Sequence, residues 1–329
     1  METSVTLEPV DGSTSVQTQP ELTYIQAATS DNTRIAYQSD IEHYTQWGGA
    51  LPAAPQQVEV YLKECAQRYN PRTLKRRIIA LRQWHKLKSQ PDPTSAPNVI
   101  KTMQGIARLH GVPAKQAAAL KLKDLDAINT NIGEALTNDE LANRVLLRNR
   151  ALLLIGFFGA FRRSELVSLT WGQVSFVSDG IIIKLSRSKT DQTGQGADCV
   201  IPFGNELRCP VRALLDWRKA SQQFEGPIFR RISKTGTVSE AAISGQSVNL
   251  ILRQLAKASG LPNADQMSVH SLRRGFATES ARLGASMPSI QRHGRWKSTK
   301  TVVEYIEAGR QFADSAVNVL FDFGGSTSC

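Results

Sequence analysis

The stretch SVHSLRRGFATESARLGASMPSIQRHGRWKSTKTVVEYIE, residues 268–307, places His270 three residues before Arg273. Trp296 follows, and Tyr305 comes nine residues after it. Far upstream, FGAFRRSEL holds Arg162 three residues before Glu165, with Arg163 in between. Together these types meet the needs of metal-free phosphodiester cleavage. A nucleophile must attack phosphorus, and a phenol can serve. The two non-bridging oxygens gain charge in the transition state and need fixed cations. Arginine suits that clamp because its planar fork donates two hydrogen bonds and keeps its charge. Histidine titrates in the range that proton transfer uses. No acidic metal-binding cluster accompanies these groups, so metal-assisted cleavage is not the simplest reading.

The elements that must position these side chains come from a chain of 329 residues, long enough for two domains and one large core. Lys and Arg number 40 against 29 Asp and Glu, a net charge of +11, which points toward a polyanionic partner. Cys65, Cys199, Cys209 and Cys329 show no CxxC spacing and join no His/Cys cluster, so they read as reduced thiols. The longest apolar run, near 151–160, is too short to span a bilayer. The polar, acidic start does not have the form of a signal peptide. The expectation is a cytoplasmic, nucleoid-associated protein with no membrane contact and no cofactor.

Residues 1–20, rich in Ser, Thr, Gln and Val, have little to bury and are expected to form a disordered arm. Residues 21–112 read as a helical DNA-binding domain. Ser30 or Asp31 caps a first helix with Tyr37, Ile41 and Tyr44 at helical spacing, ended by Gly48-Gly49. Val58, Tyr61, Leu62 and Cys65 stripe a second helix, and Asn70-Pro71 breaks the chain. Leu74, Ile78, Leu81 and Trp84 stripe a third, and Val99, Met103 and Ile106 a fourth. The third helix also carries Arg72, Lys75, Arg76, Arg77, Arg82, Lys86 and Lys88 with no acidic residue among them. Charge runs are often solvated faces, but a face of one sign repels itself unless phosphates neutralise it. Arg72, Lys75, Arg76, Arg82 and Lys86 are therefore candidate DNA contacts. A linker over 113–119 follows. Lys121 beside it is a further candidate, with a plain surface loop as the alternative.

Residues 120–329 read as a second domain. Thr137–Glu140 has the form of a capping box, and 149–158 of a helix buried all round. Strands are expected at 174–177, 180–185 and 199–203, the last two joined by SRSKTDQTGQGAD. Helices are expected at 210–220 and 247–259, with 226–231 irregular or a short strand.

FGAFRRSEL, HSLRRGFAT, HGRW and VVEYIE, in this order and spacing, resemble the tyrosine site-specific recombinases, or phage-integrase family, and among them Cre-like members. The resemblance covers about 30–323. It is looser over the helical N-terminal part, which is similar to the family's core-binding (SAM-like) domain. It implies Tyr305 as the nucleophile, forming a 3′-phosphotyrosyl bond, and Arg162 and Arg273 as the phosphate clamp. It implies His270 as an acid–base and phosphate-bonding group, and Glu165 as the residue that orients an arginine or the histidine. Arg163 is the rival of Arg162, set aside because Arg162 stands three before Glu165. The structural alternatives are an Arg162–Glu165 surface salt bridge, a solvated Glu165 and a Tyr305 that merely packs. Trp296 holds a position that is His or Trp in the family; its indole N–H donates to phosphate, or its ring only packs. Lys189 matches the family's β-hairpin lysine, which protonates the leaving 5′-oxygen, with Arg187 and Lys184 as its neighbours. Arg274 stands where many members have His and reads as an auxiliary or DNA-backbone contact, as does Arg187.

The implied fold is mainly α with a small antiparallel sheet in an α+β catalytic domain, the two domains forming a C-shaped DNA clamp. Phe312, Ala316, Val319 and Leu320 recur at helical spacing, so a terminal helix is expected over about 311–323. In Cre-like proteins such a helix docks in a neighbouring protomer; the alternative is that it folds back. A head-to-tail contact that closes predicts a homotetramer on synapsed DNA and a largely monomeric free protein. The implied function is recombination of double-stranded DNA at short inverted half-sites, through a Holliday junction, without metal, ATP or evident accessory proteins. Resolution of cointegrates or multimers and integration of a mobile element are the candidate roles. Two rivals are a type IB topoisomerase-like relaxing activity, which needs no partner duplex, and a DNA-binding regulator without catalysis.

Overall fold

The computed structural model describes residues 29–113, 117–185 and 196–322, so the expected arm, Arg187, Lys189 and Cys329 lie outside the described residues. The chain divides into two compact units, Met1–Ala114 and Lys115–Cys329.

The first unit holds α1 (Asp31–Gln46), α2 (Pro55–Ala66), α3 (Pro71–Leu87) and α4 (Pro97–His110). Three of these begin on proline, whose missing N–H is no loss in a first turn. Asn70-Pro71 is thus a helix start as well as a break, with the Asn70 side chain accepting from Arg72 N at 2.9 Å. The predicted stripes meet in one core of Tyr44, Val58, Tyr61, Leu62, Leu74, Leu81 and Val99. On α1, however, the buried residues are Tyr44 and Asp40, while Tyr37 and Ile41 lie at the margin.

Asp40 corrects the reading of the basic face. It accepts from Arg76 at 2.7 and 2.9 Å and lies 3.7 Å from buried Arg77. Arg82 donates to Asp92 and Thr94, each at 3.2 Å. Carboxylates outside the run therefore neutralise part of α3. Arg72, Lys75, Lys86 and Lys88 are exposed and make no ion pair among the described residues.

The second unit holds α5 (Leu122–Glu134), α6 (Glu140–Phe158), α7 (Arg163–Ser168), β1 (Val174–Val177), β2 (Gly180–Leu185), β3 (Ala197–Pro202) and α8 (Pro210–Ser221). It continues with β4 (Arg230–Ile232), β5 (Val238–Ala242), α9 (Gly245–Ala258), α10 (Val269–Arg282), α11 (Met287–Gly294), α12 (Thr299–Arg310) and α13 (Val317–Asp322). The fold is mainly helical with small antiparallel sheets. Strands β1, β2 and β3 pair in that order, with Val174 opposite Ile183 and Ile181 opposite Ile201. Alternation along β2 and β3 turns Ile181, Ile183, Cys199 and Ile201 into the core. Cys65, Cys199 and Cys209 are buried free thiols.

Several expectations change here. α6 is capped by Asp139, not Thr137, because Asp139 Oδ1 accepts from Leu141 N at 2.8 Å and Ala142 N at 3.4 Å. The short strand that was one option for 226–231 is β4, which pairs with β5; helix α5 and strand β5 have no counterpart in the sequence reading. The expected helix over 311–323 shrinks to the six residues of α13, and Phe312 sits in the preceding turn, 86% exposed.

The entry to this unit is fastened along α10. Leu120 N donates to Ser271 O at 3.1 Å, and Leu122 N to Glu279 Oε2 at 3.3 Å. Gly275 permits the close approach, since a Cβ there would stand 2.2 Å from the Leu120 carbonyl oxygen. Gly275→Ala should therefore destabilise the fold by about 1–3 kcal/mol despite its better helix propensity. Thermal unfolding checks this; an unchanged midpoint would show that the segment yields freely.

Candidate active site

Three segments converge. The first is the start of α10. Ser268 caps it reciprocally with Ser271, Ser268 N donating to Ser271 Oγ at 3.2 Å. That cap sets the first turn, so His270 and Arg273 fall on one face, three residues apart. Arg273 is buried at 4% exposure. Its Nη1 donates to the Ala160 carbonyl, its guanidinium carbon lies 4.2 Å from the Trp296 ring centroid, and its Nη2 is buried without a partner among the described residues. Burial, and then the charge of Arg162, push its pKa down to about 9. His270 keeps contact with solvent, yet its pKa is lowered by partial desolvation and then by the charges of Arg273 and Arg274. It is therefore neutral at neutral pH and able to accept a proton.

The second segment is the turn after α6. Ala160 adopts a positive φ of 45°, and the Gly159 and Ala160 carbonyls face inward to arginines. Arg162 opens α7. Glu165 is buried and accepts from Arg162 N at 2.9 Å and from Arg162 Nη1. Burial alone would raise the Glu165 pKa; the two hydrogen bonds from Arg162 and the charge of Arg295 outweigh it and hold the carboxyl below its ordinary value. Among the described residues, Glu165 thus contacts Arg162 and Arg295 and makes no bond to His270. The Arg162–Glu165 salt bridge exists, but it is inward: Arg162 Nη2 also donates to the Arg295 carbonyl at 3.1 Å, whereas Arg163 is exposed.

The third segment is HGRW with α12. A Cβ on Gly294 would stand 1.6 Å from the Trp296 ring, so glycine lets the indole fold across this backbone. Trp296 meets Tyr305 edge to face, with centroids 5.7 Å apart. Tyr305 is 7% exposed and packs with Ala277, Ala281 and Val302. Burial raises its pKa, opposed by Arg273 and Arg274.

Arg162, Glu165, Arg273, Trp296 and Tyr305 are thus in one neighbourhood, with His270 beside Arg273. Arg274 is half-buried: its Nη1 donates to the Ala117 carbonyl at 2.9 Å. Lys184 is exposed on β2, and Lys121 is exposed at the start of α5. Lys189 and Arg187 fall outside the described residues.

Arg295 was missed. Its side chain is buried, donates to His293 O at 2.7 Å and Gly159 O at 2.9 Å, and lies 3.6 Å from Glu165 Oε2. Its left-handed backbone, φ 57°, ends α11 where glycine is the common choice. An arginine in a polar turn reads as solvated, and only its place inside HGRW marked it. Among the described residues, no group of three or more His, Cys, Asp or Glu is arranged to hold a metal ion, and no helix is long and apolar enough to cross a membrane.

Comparison with known proteins accords with this geometry. The phage integrase family model matches residues 120–311, and the phage integrase N-terminal SAM-like domain matches residues 22–90. An integrase/recombinase xerD homolog of Selenomonas ruminantium is 33% identical over 307 residues, covering 91% of this chain and 88% of that protein. Recombinase cre of Escherichia phage P1 is 26% identical, covering 78% of this chain and 76% of that protein. Among solved structures, XerH site-specific recombinase in its post-cleavage complex with a palindromic difH substrate shares the fold, with a TM-score of 0.62 at 15% identity over 88% of this chain and 79% of that one.

Proposed function

The chain belongs to the phage integrase family of tyrosine recombinases, and from that membership we propose that Tyr305 cuts one strand of a DNA duplex and carries the 3′-phosphate. The observation that supports this most is that Arg273 and Tyr305 both meet Trp296 while Arg162 bonds the carbonyl of the adjacent Arg295, from segments far apart in sequence. The phenol oxygen attacks phosphorus and its proton passes to a base, the role we give to neutral His270. The phosphorus–O5′ bond breaks, and the leaving oxygen takes a proton from Lys189. Arg162 and Arg273 hold the non-bridging oxygens, where the unpartnered Nη2 of Arg273 finds an acceptor. The Trp296 indole packs the site and donates to the phosphate. A freed 5′-hydroxyl from a second duplex then attacks the phosphotyrosyl bond, which conserves bond energy, and a Holliday junction results.

Arg72, Lys75, Lys86, Lys121 and Arg187 are the DNA-backbone contacts in this reading, with Arg76 and Arg82 exchanging carboxylate for phosphate. In this reading the chain comprises a DNA-binding domain over 21–112, a linker over 113–119 and a catalytic domain over 120–329. The partner is double-stranded DNA with short inverted half-sites, in the cytoplasm, for multimer or cointegrate resolution or integration. The exposed Phe312, Val319, Leu320 and Phe321 suit docking on a neighbouring copy in a homotetramer. Removing the residues after Gly309 should then weaken synapsis at least tenfold more than single-site binding, as read by gel shift; equal loss of both overturns the docking.

The reading is tested by incubating the protein with nicked fragments of its own genome, denaturing, and sequencing any covalently attached DNA. Recurrent inverted half-sites are expected. DNA that never becomes attached overturns it.

A further inference from the structure

Arg274 is a cation beside the nucleophile that the phosphate clamp leaves unused. Its guanidinium carbon lies 5.9 Å from the Tyr305 ring centroid, within range of a cation–π attraction. Its Nη1 donates to the Ala117 carbonyl at 2.9 Å, and its Nε is buried without a partner among the described residues. The segment it grips is held in place. Leu120 N bonds Ser271 O, and Gly275 abuts the Leu120 carbonyl. Arg274 therefore spans from a fixed stretch of backbone at the entry of the catalytic unit to the ring of the nucleophile. An arginine reserved for the DNA backbone would be expected to extend into solvent; this one is half-buried and anchored.

We propose that Arg274 is a positioning residue for Tyr305: anchored on the Ala117 carbonyl, it holds the phenol ring in place and stabilises the negative charge that develops on the attacking oxygen. The charged groups acting on that phenol are Arg273 and Arg274 from α10, which favour the phenolate, and Glu304 from its own helix, which opposes it. Trp296 bounds the ring on another side without charge. Arg273 bonds Ala160, lies over Trp296 and, in the proposed function, gives its remaining Nη2 to the phosphate, so Arg274 is the cation left to act on the tyrosine. The proposal rests on Tyr305 being the nucleophile.

The test is single-turnover formation of the covalent complex on a nicked suicide substrate, at saturating DNA, for wild type, Arg274→Gln, Arg274→Lys and Tyr305→Phe. Binding is measured in parallel over a range of salt concentrations. For Arg274→Gln we expect unchanged binding, an unchanged salt dependence and a cleavage rate lower by about tenfold or more, the effect of about 1.4 kcal/mol of lost charge stabilisation. The rising limb of its pH profile should move to higher pH. Arg274→Lys keeps a cation over the ring and should recover much of the rate. If Gln instead weakens binding, lowers the salt slope by about one and cleaves normally at saturation, Arg274 is a phosphate contact and the proposal falls. A Lys variant as slow as Gln also overturns it, since charge over the ring would then not matter. If wild type forms no covalent complex, it is the assignment of Tyr305 that fails, and Arg274 with it.

Discussion

Tyr305→Phe protein is expected to bind its DNA site as tightly as wild type, to fold with the same stability, and to form no covalent adduct. The change deletes a single oxygen. The ring is 7% exposed, packed against Trp296 and faced by Arg274, and phenylalanine keeps both contacts. The phenol oxygen makes no hydrogen bond among the described residues, so its loss leaves no buried group without a partner, and the thermal midpoint should not move. What disappears, in the proposed function, is the nucleophile, and the neighbouring arginines and tryptophan offer no hydroxyl to form a phosphoester in its place. Denaturing electrophoresis after reaction with a nicked substrate reads the outcome. An adduct that persists in the Phe variant would transfer the nucleophile elsewhere and undo the mechanism.

Arg273 should show the second large effect, and the opposite relation between activity and stability. Arg273→Lys keeps the charge but loses the fork, and a lost transition-state donor of this kind lowers the cleavage rate by about 10²–10³-fold. Arg273→Met removes the charge and should cleave more slowly still. Yet Arg273→Met should unfold no earlier than wild type. The guanidinium is 4% exposed with Nη2 unpartnered, and its pKa stands lower in the folded chain, at about 9, than in an unfolded one. For a base, that sign means that the fold disfavours the charged form. At neutral pH, below the folded pKa, the arginine is charged and subtracts from stability. The Ala160 carbonyl also accepts from Arg295 at 3.4 Å, so it is not orphaned by the change. Thermal unfolding in the absence of DNA checks this. A midpoint that falls by several degrees would mean that the contacts to Ala160 and Trp296 outweigh the burial of charge. In the proposed function, the phosphate is the partner that offsets this burial of charge.

Much of this was legible before any coordinate. Apolar residues repeat at the period of the element that buries them, so the stripes Val58–Tyr61–Leu62–Cys65 and Leu74–Ile78–Leu81 marked α2 and α3. The short β-branched and aromatic runs marked β1 and β2 to the residue. The motifs picked out Arg162, Arg273, Trp296 and Tyr305, which the fold brings into one neighbourhood, and His270 and Arg273 share a helical face whatever surrounds the helix. The same logic fails where the outcome depends on a distant partner. The uniform charge of α3 read as one repulsive face, but Asp40 and Asp92 reach Arg76 and Arg82 from other segments. The terminal stripe read as one helix, but Phe312 is 86% exposed in the preceding turn, and among the described residues of that stretch Val317–Asp322 is the helical part.

The sequence by itself determined which chemistry-bearing side chains this protein has and which segments carry them: a tyrosine, two arginines, a histidine and a tryptophan at the spacing of the family's motifs. Spacing within a helix or strand is a local property, and local geometry follows from residue type. The tertiary structure alone decided how that chemistry is held. It placed Glu165 between Arg162 and Arg295, turned the Ala160 carbonyl onto Arg273, and set Arg274 between Ala117 and the nucleophile. Those relations join residues far apart in the chain. Their energies come from burial and charge in three dimensions, and no spacing along a sequence encodes them.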